Sequence, residues 1–93
     1  MTIDEIIAAN KANGGHFFDE DTMRFFDSRV YDRTYGTFFV TSEKGPHGPR
    51  AYTVRQAMPD GSVDTVGKFM GYETRADAER EAARLYESAN HLN

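Results

Sequence analysis

The side chains that could carry out catalysis are few, and they do not form a recognisable catalytic pattern. The 93-residue chain has three His and no Cys, which excludes a thiolate nucleophile, a disulfide framework and a zinc ribbon. His16 precedes Asp19 and Asp21, an arrangement that could form an acid–base pair or a weak metal site, although the favoured interpretation is a histidine packed beside phenylalanines. Asp19-Glu20-Asp21 lacks the spacing and the central Gly of a calcium loop. We therefore expect no enzyme activity, no metal and no cofactor.

Acidic and aromatic residues provide the first candidate binding surface. The chain carries 15 acidic and 11 basic residues, a net charge of −4, and such a chain favours a basic partner by charge complementarity. We expect a protein partner to bind acidic residues near both ends of the chain, with a pair of phenylalanines as apolar anchors. The candidates are Phe17, Phe18, Asp19, Glu20, Asp21, Asp77, Glu79 and Glu81.

Basic residues between aromatic ones support an alternative, a nucleic-acid-binding surface. Residues 31–57 hold four basic and two acidic residues, so this middle segment has a net charge of +2. Bases can stack on aromatic side chains while arginines contact phosphates. The candidates for this alternative are Arg29, Arg33, His47, Arg50 and Arg55. The simpler interpretation is that the aromatic residues form the core and the arginines its solvated rim.

The elements that must position these residues can be predicted from capping and periodicity. Thr2 and Glu5 form a capping-box pattern that begins an N-terminal helix, and Asn13-Gly14-Gly15 ends it. Residues 16–31 contain two Phe-Phe pairs, and their periodicity leaves open whether they form a strand or a helix. The ranges 37–43, 51–58 and 63–70 are predicted strands, separated by the Gly/Pro-rich loop 44–50 and by a Pro59-Asp60-Gly61 turn.

A second helix is predicted at the C-terminus. It begins at Thr74, and its apolar stripe is Ala78, Ala82, Leu85, Ala89 and Leu92. The sequence therefore predicts a single α+β domain over residues 1–93, with an N-terminal helix, a three- to four-stranded antiparallel sheet and a C-terminal helix packed on the sheet.

Part of the chain resembles the double-stranded-RNA-binding domain. The layout from Phe38 to Leu85 is similar, with Gly45-Pro46-His47 in place of that family's Gly-Pro-x-His loop and an Ala-rich final helix. The resemblance implies RNA binding through a lysine cluster at the start of the last helix. Here that segment reads Thr-Arg-Ala-Asp-Ala-Glu, with one Arg and two acids.

A longer stretch, residues 6–86, resembles a family of small uncharacterised proteins encoded by bacteriophages and other mobile elements. The pattern consists of HFFDEDTMRFFDSRV, FFVTSEK, PRAYTVR and ETRADAEREAARL. The resemblance implies a phage or mobile-element setting rather than a mechanism. Binding that modulates or inhibits a host macromolecule, including anti-CRISPR or another anti-defence activity, follows by analogy with other small acidic phage proteins. A third hypothesis is that two copies of the chain form a homodimer through an edge strand. The alternative oligomeric state is a monomer.

Composition also predicts where the protein acts. No apolar run approaches the ~20 residues needed to span a bilayer. The first residues, MTIDEII, carry acids where a secretory signal needs basic residues. We therefore expect no membrane association and a location in the cytoplasm of the bacterial host.

Overall fold

The computed structural model describes residues 1–91, in which a four-stranded antiparallel sheet has helices on both faces. The strands follow one another in space in the order β1-β2-β3-β4. The predicted α+β fold, with a C-terminal helix packed on the sheet, is confirmed. In chain order the elements are α1 (Ile3–Ala12), α2 (Glu20–Phe25), β1 (Arg29–Tyr35), β2 (Phe38–Glu43), β3 (Ala51–Ala57), β4 (Val63–Val66) and α3 (Arg75–His91).

Helix α1 begins with the predicted capping box. The Glu5 backbone N–H donates to Thr2 Oγ1 at 3.2 Å, and the Thr2 N–H donates to Glu5 Oε1 at 2.8 Å. These two bonds satisfy donors that a helix start leaves free, and the one from the Thr2 N–H to the carboxylate lowers the pKa of Glu5. On its buried side, Asn10 Nδ2 donates to the Gly61 carbonyl at 3.0 Å, which ties α1 to the β3–β4 turn.

The α3 face of the sheet carries the larger core cluster. Because side chains alternate along a strand, Phe38, Val40 and Val54 share this face and pack against α3. Ala78 and Ala82 of α3 are fully buried there, and their small side chains let the helix lie close to the sheet. Six partly buried residues complete this cluster: Tyr31, Tyr35, Tyr52, Val66, Tyr72 and Leu85.

The opposite face is built from phenylalanines and α1. Phe39 and Ala57 point to this side and pack with Ile6 of α1. Phe17 and Phe18, from the segment between α1 and α2, cover the same cluster. All six residues of β2 are buried, because this central strand is covered on both faces.

Two regions differ from the sequence predictions or complete them. The open segment 16–31 contains both alternatives, helix α2 followed by the first residues of β1. The predicted strand over 63–70 is wrong at its C-terminal end: β4 stops at Val66, because Gly67 turns the chain at φ +76°. Leu92 of the predicted apolar stripe lies outside the described residues.

Candidate interaction surface

Two groups of contacting aromatic rings, joined by an arginine, form a row across the sheet face opposite α3. Neighbouring ring centroids lie 4.7 Å apart for Phe25–Phe26, 5.3 Å for Phe26–Phe69, 4.8 Å for Phe17–Phe18 and 6.2 Å for Phe18–Phe39. The guanidinium of Arg55 joins the two halves, at 5.5 Å from the Phe69 ring and 5.1 Å from the Phe17 ring. This aromatic row uses six of the seven phenylalanines in the chain.

One end of the row is exposed and the other is buried. Phe39 is fully buried, whereas Phe25 is 79% exposed and Phe69 is 39% exposed. We call Phe25, Phe26 and Phe69 the aromatic patch. Beside it lies an open cleft of about 470 Å³, bounded by α2 and by the Lys44–Gly45–Pro46 segment. Exposed aromatic clusters of this kind mark interaction sites more often than singly exposed apolar residues do.

The backbone is strained next to both parts of the aromatic patch. Among the described residues, the non-glycine residues with positive φ are Asp27 at 46° and Met70 at 56°. Asp27 directly follows Phe26, and Met70 directly follows Phe69. A non-glycine residue in this region costs roughly 1–3 kcal/mol and needs surrounding structure to hold it, and such strain clusters at functional sites.

Arg50 holds the first strained residue. Its Nη2 donates to Asp27 Oδ2 at 2.6 Å, and its Nη1 donates to the Asp27 carbonyl at 2.9 Å. The same Nη1 lies 2.8 Å from Ser42 Oγ on β2. The Lys44 N–H also donates to the Phe26 carbonyl at 2.7 Å. The end of α2 is therefore fastened to the end of β2.

The second strained residue is held by a buried polar network beneath the row. At its centre are Glu43, 1% exposed, and Arg55, 8% exposed, with Nη2 and Oε2 2.9 Å apart. The hydroxyls of Thr41 and Thr53 each donate to one Glu43 oxygen at 2.6 Å. Thr53 Oγ1 also accepts the Met70 N–H at 2.9 Å. We call Glu43, Arg55, Thr41, Thr53 and Thr65, which accepts from Arg55 Nη1, the polar network.

The first group of predicted acidic residues lies beside the aromatic patch. Asp19 precedes α2 and binds His16 Nδ1 at 2.7 Å, while Glu20 and Asp21 occupy the exposed first turn. Arg24, one turn later on the same helix, forms ion pairs with Glu20 and with Asp21. The predicted anchors Phe17 and Phe18 are half-buried members of the aromatic row.

The second group of acidic residues lies on α3, across the sheet from the first. Each is paired on its own helix: Asp77 with Arg80, Glu79 with Arg75 and Glu81 with Arg84. Hydrogen bonds from Arg80 and Arg84 hold the pKa values of Asp77 and Glu81 below their ordinary range. The two groups therefore lie on opposite faces of the sheet and do not form one continuous acidic surface.

The arginines of the nucleic-acid alternative are spread over different environments. Arg55 lies in the polar network and Arg50 is bound to Asp27, so both guanidinium groups already have acidic partners. Arg29 and Arg33 are exposed on β1, where Arg33 lies over the Tyr35 ring, and His47 is exposed in the loop after β2.

Sequence reasoning missed the aromatic patch as a unit. Phe25 and Phe26 were visible only as a pair, and Phe69 fell inside a predicted strand. One signal was available in the sequence. The Phe25-Phe26 pair closely follows the acidic run Asp19-Glu20-Asp21, and a helix as short as this spacing allows has no apolar face long enough to bury both rings.

Across residues 1–91 no group of three or more His, Cys, Asp or Glu side chains is placed to hold a metal ion. In that range no helix is both long and apolar enough to cross a membrane.

Comparison with known proteins places the chain in a family. No curated protein and no solved structure matches it significantly. A family model does match: it spans residues 2–83, from α1 into α3, and so includes the aromatic row and the polar network. The chain belongs to DUF7447, a family of unknown function.

Proposed function

We propose that this protein is a non-enzymatic, phage- or prophage-encoded protein that acts in the cytoplasm of a bacterial host by binding a host protein through the aromatic patch. Anti-CRISPR or another anti-defence activity is one form that such binding would take. The phage setting rests on the sequence resemblance described above, and the binding role rests on the surface.

The observation that carries the proposal is that Phe25 is exposed while the residues next to it are held in place by the fold. Fully burying a phenylalanine contributes about 1.5–3 kcal/mol, so a partner that covers Phe25 and Phe69 gains a hot spot. Their rings rest on Phe26 and Arg55, and Arg50 holds the end of α2. A patch ordered before binding loses little conformational entropy when the partner arrives.

Charge indicates the chemistry of the partner. Residues 19–27 contain four acids and one Arg; Arg24 pairs with Glu20 and Asp21 and Arg50 with Asp27, so the segment together with Arg50 keeps a net charge of −2. The patch therefore lies next to an acidic rim formed by Asp19, Glu20 and Asp21. We infer a partner protein with an apolar pocket bordered by Lys or Arg side chains. The same rim repels a phosphate backbone, which disfavours nucleic acid at this surface.

The experiment is an affinity capture from nuclease-treated bacterial lysate with four tagged proteins: wild type, Phe25→Ser, Asp21→Lys and Glu87→Lys. Phe25 and Asp21 are exposed at the patch, whereas Glu87 is an exposed acid on α3, across the sheet. None of the three side chains is buried, so we expect unfolding free energies within about 0.5 kcal/mol of wild type.

The proposal predicts a protein that wild type and Glu87→Lys retain and that Phe25→Ser and Asp21→Lys lose. Capture that is unchanged by Phe25→Ser would overturn the assignment of the aromatic patch. Recovery of nucleic acid from an untreated lysate, with every protein lost after nuclease, would overturn the protein-binding role in favour of the arginines on β1 and the loop after β2.

A further inference from the structure

The polar network reaches one strained residue, and this connection gives it a role beyond holding the sheet together. A buried ion pair is often no more stabilising than apolar residues of the same size. A 93-residue chain has a small core, so a charged pair inside it calls for another explanation. The network's outermost hydrogen bond is from the Met70 N–H to Thr53 Oγ1, immediately beside Phe69.

The geometry of the Thr53 hydroxyl fixes the direction of this bond. Its one hydrogen points to Glu43 Oε1, 2.6 Å away, so a lone pair faces the Met70 N–H. Glu43 thereby orients the hydroxyl, and Arg55 holds Glu43 from the other side. Met70 keeps a φ of 56° only because neighbouring groups hold it there, and Thr53 is the side chain bonded to its amide.

We propose that Thr53 is a positioning residue for the aromatic patch: through the Met70 amide it fixes the β4–α3 segment so that Phe69 lies against Phe26 and Arg55. The biological meaning of this role rests on the proposed function, because positioning matters only if the patch binds a partner. The positioning itself is a property of the free protein and is measurable without one.

Thr41 provides a closely matched control. Both threonines are fully buried, and both hydroxyls donate to Glu43 at 2.6 Å. They differ in what they accept: Thr41 accepts from Arg55 Nε at 3.0 Å, and Thr53 accepts from the Met70 amide. Thr53→Val and Thr41→Val therefore remove equivalent bonds to Glu43, and only Thr53→Val frees the Met70 N–H.

The test measures amide hydrogen exchange of Met70 and the ring proton shifts of Phe69 by NMR in wild type, Thr53→Val and Thr41→Val. A neutral hydrogen bond of typical strength corresponds to about a fivefold change in an opening equilibrium. We expect exchange at Met70 to rise by about fivefold or more in Thr53→Val relative to Thr41→Val. The Phe69 ring shifts should move more in Thr53→Val, where the ring leaves its place beside Phe26, than in Thr41→Val, which alters only the Arg55 guanidinium next to the ring.

Equal exchange at Met70 in the two variants, or Phe69 shifts that stay at wild-type values in Thr53→Val, would overturn the proposal. If either valine variant fails to fold, the smaller substitutions Thr53→Ala and Thr41→Ala give the same comparison. These readouts need no partner, so they separate a failure of the positioning role from a failure of the proposed function. Where wild type captures a partner, Thr53→Val should weaken that capture more than Thr41→Val does.

Discussion

Removing one member of the buried ion pair should have the largest effect on stability. Arg55→Met keeps an unbranched apolar side chain but removes the guanidinium that lies 2.9 Å from Glu43 Oε2. Glu43 is 1% exposed, so its charge would remain in the interior with only threonine hydroxyls as donors. Leaving one charge of a buried pair without its partner costs about 3–5 kcal/mol. A domain of this length has only about 5–14 kcal/mol of stability in total.

A double variant separates the charge effect from simple loss of packing. Combining Arg55→Met with Glu43→Leu removes both charges and leaves the three threonine hydroxyls with fewer partners. Thr65 is exposed and can bond water, and Thr53 still meets the Met70 amide, so we expect the double variant to lose about 2–4 kcal/mol. That is well below the sum of two single losses of about 3–5 kcal/mol each.

Urea unfolding at pH 7, followed by far-ultraviolet circular dichroism, measures Arg55→Met, Glu43→Leu and the double variant; the chain has no Trp to serve as a probe. Two results would refute the reasoning. If Arg55→Met costs less than about 1 kcal/mol, the Glu43 charge is reaching water rather than staying buried. If the double variant loses the full sum of the single variants, the two side chains do not act as a pair.

Three further substitutions test other parts of the fold. Thr2→Ala removes half of the capping box with Glu5 and should lower the unfolding free energy by about 1 kcal/mol, measured by urea unfolding; no change would mean that the end of α1 frays in solution. Ala82→Leu places a large side chain where α3 touches the sheet and should cost about 1–3 kcal/mol, whereas a gain in thermal midpoint would reveal unfilled space. The pKa of Asp77 is lowered by Arg80, so its contribution is present near neutral pH and is lost as the pH falls through the lowered folded-state pKa, below about pH 4. Asp77→Asn should therefore flatten the acid side of the stability profile measured by urea unfolding between pH 2 and 7, and an unchanged slope would contradict this.

Local signals predicted the parts of the fold that local interactions build. The capping box at Thr2, the alternation through Phe38 and Val40, and the Ala78/Ala82 stripe each act within one element or between two neighbouring ones. Their physical causes are therefore readable from spacing alone. The end of β4 was missed for the opposite reason. Gly67 looked compatible with a strand, and only the return of the chain to bond Tyr72 with Tyr52 shows that it turns.

The environment of Arg55 could not be predicted from its own strand. Alternation correctly put Arg55 opposite Val54, and an arginine on the side away from one core is normally exposed to solvent. What buries it comes from distant segments: Phe17 precedes α2, and Phe69 follows β4. Glu43, its ionic partner, is twelve residues away in sequence, at the end of the predicted strand 37–43. Contacts of this range leave no periodic trace in a single sequence.

The helices on the face opposite α3 are too short to cover the whole sheet, and this explains why the aromatic patch is exposed. Helix α1 covers only the end of the sheet near Phe39 and Ala57, and α2 has six residues, none of them buried. The remainder of that face is closed by phenylalanine rings from loops, stacked on the guanidinium of Arg55. If the only role of these rings were to cover the sheet, the row would need to extend no further than Phe69, which lies on Arg55. The row continues instead through Phe26 to Phe25, which lies 79% exposed and contributes nothing to the core. Phe25 lies outside both core clusters, and its exposure is therefore the feature on which the proposed binding function depends.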